Sequence, residues 1–465
     1  MKMSNGKRYK MDMCHGPLFS KIVRLAVPLA MANALALMFH AADLMVLGHF
    51  SSSEAMAAVG AAPSFTTLML NLFWGIGSGV NVLVARYTGA KDKLHLEKTI
   101  HTAITVAIAG GIILAVGGCF ITKPVLRFME VPDVIFDKAC LYLWIWCLGS
   151  PFMILYSFGS AILRAIGDTK RPLIYMIIAG VTNVLLNLFF VTVCKMDVAG
   201  VAIATKISNA VSAILVLIAL TRSKEDYQLI WKKLTFYWPV FKEMLRIGIP
   251  AGIQGALFSL SNMIIQGTIN SFGPAAIAGS TAGLSLEGIV HAGATAFALA
   301  AMSFVGQNHG GRQYKRIMKS IYICLGCSCG VMIAGGGIIL AFHTQFLSIF
   351  NPDPEVIRWG TIRLFCQLSF YPLLAVMEVQ NSSLRGLGYS FWPMVITLMG
   401  ACVFRVIWVF TIFPHYKTME NLMISYPVSW TLICLVNGAL LICICRRMLI
   451  RASKRQFDLL TVKKS

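Results

Sequence analysis

About twelve runs of 20–30 mainly apolar residues follow one another along this chain, separated by short polar segments. Each run is long enough to cross the roughly 30 Å hydrocarbon core of a bilayer as a helix. The 465-residue chain is 57% hydrophobic and only 13% charged, whereas roughly a quarter of the residues in soluble domains are charged. The sequence therefore predicts an all-α integral membrane protein.

Hydropathy and the intervening loops predict twelve transmembrane helices, and lysine and arginine should concentrate in the cytoplasmic loops. With the N-terminus inside, 31 of the 40 basic residues lie in cytoplasmic segments and seven, among them Arg358 and Arg363, in outer segments. Lys206 and Arg405 remain within the spans. We therefore expect both termini to be cytoplasmic. The expected helix limits are 22–49, 57–85, 99–121, 139–163, 173–194, 198–220, 241–269, 275–306, 317–341, 360–384, 393–413 and 422–445.

Several classes of function fit the composition poorly. The net charge of +21 could indicate nucleic-acid binding, but that requires a basic face on a polar domain, and no polar stretch is long enough to fold alone. The thirteen cysteines fit neither a disulfide framework nor a metal site. The chain has no G-x-x-x-x-G-K-[ST] motif, so we expect transport to be driven by an ion gradient rather than by ATP. We expect no enzymatic activity, no cofactor and no nucleic-acid partner.

A long internal repeat divides the chain into two similar halves. Five residues recur 221 positions later, and at the first predicted helix the offset is 222, which pairs Arg24 with Arg246 and Pro28 with Pro250. Because each half has six spans, both halves enter from the same side, as in transporters whose two bundles alternate access across a central cavity. The five pairs are Pro151 with Pro372, Leu163 with Leu384, Arg164 with Arg385, Gly167 with Gly388 and Pro172 with Pro393.

The repeat predicts two six-helix lobes, 21–221 and 241–446. A cytoplasmic linker, 222–240, is expected to join them. The remaining segments, 1–20 and 447–465, are expected to form cytoplasmic tails.

Five motifs at helix ends resemble the multidrug and toxic compound extrusion (MATE) family. The resemblance covers nearly the whole chain, from about Pro17 to Arg447. It implies a V-shaped pair of six-helix lobes that exports amphipathic organic compounds, often cations, in exchange for Na⁺ or H⁺. The motifs are Ala42-Asp43-Leu44-Met45-Val46-Leu47-Gly48, Val84-Ala85-Arg86-Tyr87-Thr88-Gly89-Ala90, Leu163-Arg164-Ala165-Ile166-Gly167-Asp168-Thr169, Phe304-Val305-Gly306-Gln307-Asn308-His309-Gly310 and Leu384-Arg385-Gly386-Leu387-Gly388.

Four polar residues in the N-terminal lobe, Asp43, Asn183, Asn187 and Thr205, are candidates for a cation-coupling site. An ionisable group inside a membrane costs at least about 2.5–3.5 kcal/mol, and helical rise places these groups in the outer half of the lobe. Oxygen ligands suit Na⁺, and a carboxyl could equally bind a proton. The family's cation site maps onto these four positions, although the two asparagines could instead hold helices together. Lys206 would repel a nearby cationic substrate, and the sequence assigns it no role.

Some relatives carry a second carboxylate at the position of Asn187. Asp43 would therefore have to carry the coupling charge of this lobe alone.

The C-terminal lobe holds a second set of polar candidates. Glu287 and Arg405 both lie about 18 Å from the membrane face at which their helices begin, so the sequence predicts an ion pair, either structural or functional. Glu378 is a candidate for a gate or a second proton site. His291 could titrate near neutral pH or form a buried hydrogen bond. Gln254 lies on the seventh helix, where some relatives place a cation-binding carboxylate.

These observations favour a secondary antiporter for drugs or metabolites. A flippase for lipid-linked precursors is the nearest alternative, but its cavity should contain more basic residues than Lys206 and Arg405. A receptor or scaffold is a further alternative. We expect a monomer in a prokaryotic inner membrane, with small organic substrates and lipids as partners. The sequence leaves open whether Na⁺ or H⁺ drives transport.

Overall fold

The computed structural model describes residues 10–50, 59, 63–129 and 131–462, and these form helices and their connections. The segment between the first two predicted helices, 50–56, lies almost entirely outside the described residues. The same holds for the first nine residues of the predicted N-terminal tail and the last three of the basic C-terminal tail.

The first half of the described chain contains seven α-helices. A π-helical turn, Phe189–Val193, follows the sixth of them, and a 3₁₀ turn, Trp231–Lys233, lies in the connection to the second half. The helices are α1 (Leu18–Phe50), α2 (Pro63–Ala90), α3 (Lys93–Phe128), α4 (Asp133–Leu148), α5 (Ser150–Ala165), α6 (Lys170–Leu188) and α7 (Val198–Thr221).

The second half of the described chain contains nine α-helices. A π-helical segment, Leu398–Val403, joins two short ones, and a 3₁₀ turn, Phe413–His415, precedes the last. The helices are α8 (Trp238–Asn270), α9 (Pro274–Gly310), α10 (Tyr314–Ala341), α11 (His343–Phe350), α12 (Pro354–Leu368), α13 (Tyr371–Gly386), α14 (Phe391–Thr397), α15 (Phe404–Thr411) and α16 (Met419–Val462).

Two of the predicted spans are broken helices. Ten helical segments of the described part are each long and apolar enough to cross a membrane, and two bent pairs raise the number to as many as twelve. The pair α4 and α5 bends by 45°, and the pair α12 and α13 bends by 50°. The predicted continuous helices at 139–163 and 360–384 are therefore wrong in detail, whereas the all-α membrane fold is confirmed.

The breaks have the same local cause in both halves. Pro151 and Pro372 each stand near the start of the second helix of a bent pair. Proline lacks a backbone N–H and fits the first turn of a helix, where that donor has no partner in any case. Because the two prolines are related by the repeat, each half bends at the same place.

The described chain forms two compact units. One contains 31–252 with 10–12, and the other contains 253–462 with 13–30. The boundaries fall within α1 and α8. The lobe limits that the repeat predicts, 21–221 and 241–446, stay a prediction.

Close helix contacts and the linker hold the first unit together. A Cβ at Gly111 of α3 would lie 2.4 Å from the Cα of Pro151, so this crossing requires a glycine. The predicted linker at 222–240 packs back on α3: Lys233 pairs with Glu97 at 2.9 Å, and His101 contacts the backbone of Ile230. The linker therefore belongs to the folded unit.

The N-terminal segment also packs against the protein. In the second unit, Met13 is fully buried and its backbone N–H donates to Gln307 at 3.3 Å. Asn308 and Arg316 donate to the carbonyl of Met13 at 3.2 and 3.0 Å. The part of the predicted tail immediately before α1 is therefore ordered against the ends of α9 and α10.

Candidate functional site

The four residues predicted for the coupling site of the first unit lie together. Asn187 of α6 donates a hydrogen bond to the carboxylate of Asp43 on α1. It also donates to Asn183, 3.3 Å away, and Asn183 in turn donates to the hydroxyl of Thr205 on α7, also at 3.3 Å. Three helices therefore bring one carboxylate, two amides and one hydroxyl into a single chain of hydrogen bonds.

The local sequence explains how these side chains meet. Asn183 and Asn187 are four residues apart and so share one face of α6, and both are buried. The Thr205 hydroxyl donates to the carbonyl of Val201 one turn earlier, at 2.9 Å. The π-helical turn begins two residues after Asn187, and such turns occur often at functional sites.

Two features determine the electrostatics of this cluster. Asp43 is half-buried and has no basic partner among the described residues. The carbonyl oxygen of Asn187 is buried and accepts no hydrogen bond from any described residue. A buried acceptor without a partner costs about 1–3 kcal/mol. An electron-deficient ligand, either a cation or a proton on Asp43, would relieve that cost.

Lys206, the neighbour of Thr205, lies in a different environment. Its ammonium group stands 4.8 Å from the centre of the Trp146 ring on α4. Its aliphatic carbons pack against Gly149, at the break between α4 and α5, where a Cβ would lie 2.2 Å from the lysine Cδ. The aromatic face therefore stabilises the positive charge.

The second unit contains a buried ion pair, but not the predicted one. Glu287 of α9 accepts from Arg363 of α12 through both carboxylate oxygens, at 2.9 and 3.0 Å. Ser280 accepts a further hydrogen bond from the same guanidinium, at 2.8 Å. The predicted pair of Glu287 with Arg405 is wrong, because the ion pair of Glu287 is with Arg363, whereas Arg405 donates to Ser429 and Asn262.

Arg405 has a different set of partners. It lies on α15, is 1% exposed, and donates to Ser429 at 3.0 Å and to Asn262 at 3.3 Å. Its guanidinium carbon lies 4.0 Å from the centre of the Tyr426 ring. No described carboxylate is within ion-pairing distance.

The other candidates of the second unit are separate from this pair. Gln254 donates to Thr397 at 2.7 Å and accepts from Arg385 of α13 at 2.5 Å. Glu378 lies on the same helix as Arg385 and interacts with it electrostatically. His291 is half-buried, and its ring lies 3.5 Å from the hydroxyl of Thr295 one turn later. The five predicted residues thus occupy several distinct environments.

The sequence reasoning missed Arg363. Its position near the start of a predicted span placed it in an outer segment, whereas it is 4% exposed within α12. The signal that could have found it is Glu287: a buried carboxylate needs a partner.

A family model for MatE matches this chain twice, at residues 28–189 and 250–411. The chain belongs to the MatE family. Both ends of the two matches differ by 222 residues, so the family's own unit is the internal repeat. This MatE protein is therefore a multi-pass membrane transporter and not an enzyme.

Relatives and solved structures agree with that assignment. The probable multidrug resistance protein YoeA of Bacillus subtilis is 28% identical over 87% of this chain and 89% of its own length. An FAD transporter of Shewanella oneidensis is 26% identical over 77% of this chain and 79% of its own length. A crystal structure of MATE in complex with MaL6 aligns with a TM-score of 0.88, at 19% identity, over 96% of this chain and 99% of that one. The structural likeness confirms the fold.

The repeat relates the polar clusters of the two units. Adding 222 to Asn183 gives Arg405, and adding 222 to Asp43 gives Ile265, which is buried. The offset is 221 at Pro172 and Pro393, and the π-helical segment between Pro393 and Arg405 can accommodate the one extra residue. The second unit therefore carries an arginine and an isoleucine at the positions that correspond to Asn183 and Asp43 in the first.

Proposed function

We propose that this MatE protein is a secondary antiporter that exports amphipathic organic compounds in exchange for Na⁺ or H⁺, with Asp43 as the coupling carboxylate. One observation carries the proposal: Asp43 has no basic partner among the described residues, and it lies beside an amide whose buried carbonyl oxygen is unpartnered. This combination can accept a positive charge. A structural carboxylate would be expected to have a basic partner, as Glu287 has.

The two coupling ions would use the cluster differently. Na⁺ prefers several oxygen ligands, as other hard cations do, and Asp43, Asn187 and Thr205 offer three kinds of oxygen. A proton would convert the carboxylate into a neutral group that can donate a hydrogen bond, and the Asn187 oxygen would supply an acceptor. Either ion removes an uncompensated negative charge from the packing of α1 against α6.

Charge neutralisation at α1 provides a mechanism for exchange. In the absence of the ion, an unpaired charge favours the conformation that hydrates it, because burying an isolated charge is costly. Once the ion is bound, the helix can pack more tightly. A ligand can shift such an equilibrium only through its different affinities for the two states, and occupancy of Asp43 supplies that difference. Substrate would leave outward as the ion enters.

The choice of substrate has to be tested broadly. The names of the relatives include both multidrug resistance proteins and an FAD transporter, and FAD is negatively charged, unlike an organic cation. We therefore propose testing an organic cation, ethidium, beside FAD. Each compound is loaded into proteoliposomes that contain the full-length protein.

The experiment imposes a Na⁺ gradient and then a pH gradient, and follows efflux of the loaded compound. We expect one gradient to drive efflux in the wild-type protein and Asp43→Asn to reduce coupled efflux at least about 100-fold, an effect of about 2.7 kcal/mol. Asp137→Asn is the matched control, because Asp137 is exposed on α4. Its efflux should equal that of the wild type.

Two results would contradict the proposal. Gradient-driven efflux that persists at the wild-type rate in Asp43→Asn would remove Asp43 from coupling. Equal loss in Asp137→Asn would show that the assay responds to any lost carboxylate. Thermal unfolding in detergent shows whether Asp43→Asn is folded, and we expect an unchanged or raised Tm because an unpaired charge is removed.

A further inference from the structure

The guanidinium of Arg405 is incompletely satisfied within the protein. A guanidinium has five N–H donors; here Nε donates to Ser429 and Nη1 donates to Asn262. Nη2 is buried and has no hydrogen-bond partner among the described residues. Two of its five donors therefore point at no acceptor that the described chain supplies.

The charge of Arg405 is also uncompensated. No carboxylate of the described chain lies within ion-pairing distance of it, and Glu287 is committed to Arg363 through both oxygens. The rings of Tyr426 and Phe258, 4.0 and 5.4 Å from the guanidinium carbon, contribute cation–π stabilisation and no net negative charge. Buried charges are normally paired because their desolvation is costly.

The position of Arg405 in the repeat is a second, independent observation. Arg405 lies 222 residues after Asn183, which belongs to the polar cluster of the first unit. The same offset replaces Asp43 with Ile265. In the second half of the chain, the corresponding location therefore has the opposite charge and no acid.

We propose that the second unit contains an anion-binding site centred on Nη2 of Arg405, which takes a monovalent anion, either chloride or the carboxylate of an amphipathic organic acid. The guanidinium supplies charge-assisted donors, the strongest hydrogen-bond donors available to a protein. The aromatic rings exclude water, which strengthens those bonds.

Asn262 offers the site a further donor. It is half-buried on α8, and its carbonyl oxygen accepts from both Arg405 and Tyr426, each at 3.3 Å. Its amide N–H groups have no partner among the described residues. An anion beside Arg405 could therefore also be held by this neutral donor.

Arg405 can be replaced without leaving its polar neighbours without hydrogen-bond partners. Ser429 also donates to the carbonyl of Tyr426 at 2.7 Å, and Asn262 keeps its hydrogen bond from Tyr426. Replacing a buried charge with an apolar side chain of similar volume is often neutral or stabilising. Arg405→Met should therefore fold. Arg405→Lys keeps the charge and loses the planar fork.

The test uses the full-length protein in detergent at constant Na⁺ concentration. Sodium gluconate, whose anion is bulky and strongly hydrated, is replaced stepwise by sodium chloride or by sodium benzoate, and Tm is recorded. A ligand that binds the folded state alone raises stability in a saturable way. We expect such a rise in the wild type, an apparent affinity at least about tenfold weaker in Arg405→Lys, and no response in Arg405→Met.

Arg358→Met is the matched control. Arg358 is exposed on α12, so its replacement should leave the anion response unchanged. A response to chloride alone identifies a halide site, and a response to benzoate alone identifies a site for organic carboxylates. No response to either anion in the wild type would overturn the proposal, as would a response that survives in Arg405→Met. Asp43→Asn should keep the response, so this proposal can fail independently of the coupling role of Asp43.

Discussion

The polar clusters of the two units are related by the repeat and differ in charge. In the first unit, Asp43 accompanies Asn183, Asn187 and Thr205 without a described basic partner. In the second, Ile265 takes the place of Asp43, and Arg405 takes the place of Asn183. The two halves thus share the helical framework, while an acid of the first half corresponds to an isoleucine and a neutral amide corresponds to an arginine. The comparison teaches that similarity between the halves of a repeat extends to the backbone and need not extend to the charges of the polar side chains.

The second unit also contains a buried acid, Glu287, whose charge is paired. Glu287 is held by two hydrogen bonds from Arg363, and that guanidinium is held in turn by Ser280. This arrangement is neutral because the two opposite charges are paired. Asp43 lacks such a partner, and this contrast distinguishes the proposed coupling acid from a structural one.

The largest expected effect is on stability, at Glu287. Glu287→Gln leaves the buried charge of Arg363 unpaired, and breaking a buried pair in this way costs about 3–5 kcal/mol. Thermal unfolding in detergent should show a large fall in Tm.

The double variant Glu287→Leu with Arg363→Met is the control, since it removes both charges. It should recover most of the lost stability, because a buried ion pair replaced by apolar residues is often neutral. A Tm for Glu287→Gln equal to that of Asp43→Asn would contradict the assignment of Glu287 as a paired structural acid and of Asp43 as an unpaired one.

Asn187→Ala should give an intermediate effect on ion dependence. It removes the donor to Asp43 and the unpartnered oxygen beside it, so we expect the apparent affinity for the coupling ion to fall about tenfold, or about 1.4 kcal/mol. The measurement is efflux against the concentration of the driving ion.

Asn437→Ala provides the matched comparison in the second unit, where Asn437 donates to Asn381 at 2.9 Å. Asn437→Ala should lower the free energy of unfolding about as much as Asn187→Ala does, because each variant loses buried amide hydrogen bonds. It should leave the ion dependence of efflux unchanged. Equal shifts in both variants would assign Asn187 a purely structural role.

The smallest effect is expected at Thr205. Thr205→Val removes the oxygen that accepts from Asn183, and one hydrogen bond contributes about 1 kcal/mol, or roughly fivefold in apparent ion affinity. Thr205→Ser keeps the hydroxyl and should behave as the wild type. If Thr205→Val also had the ion affinity of the wild type, Thr205 would have no part in binding the coupling ion.

Hydropathy and spacing predicted much of this molecule. The spans follow from long apolar runs, and the meeting of Asn183 with Asn187 follows from their i, i+4 spacing. Helical rise indicated the common depth of Asp43, Asn187 and Thr205. These are one-dimensional properties: length along a helix and face around it.

The errors have different physical causes. Equal depth suggested that Glu287 pairs with Arg405, yet depth does not determine which neighbouring helix a side chain faces. Arg363 escaped notice because it lies close to the start of the span predicted at 360–384 and was counted with the outer segment, whereas α12 already begins at Pro354. The breaks between α4 and α5 and between α12 and α13 were missed because proline is compatible both with a first turn and with a kinked helix.

The sequence by itself determined the membrane location, the duplicated all-α architecture and the candidate ionisable groups other than Arg363, because burial in lipid restricts composition and requires internally hydrogen-bonded backbone. Only the tertiary structure decided which of those groups are neutralised. Partner choice depends on the rotation of each helix about its axis and on distances of 3–4 Å between helices, to which a hydropathy pattern is insensitive. Those distances give Glu287 its arginine, and none of the described side chains gives Asp43 or Arg405 a counter-charge.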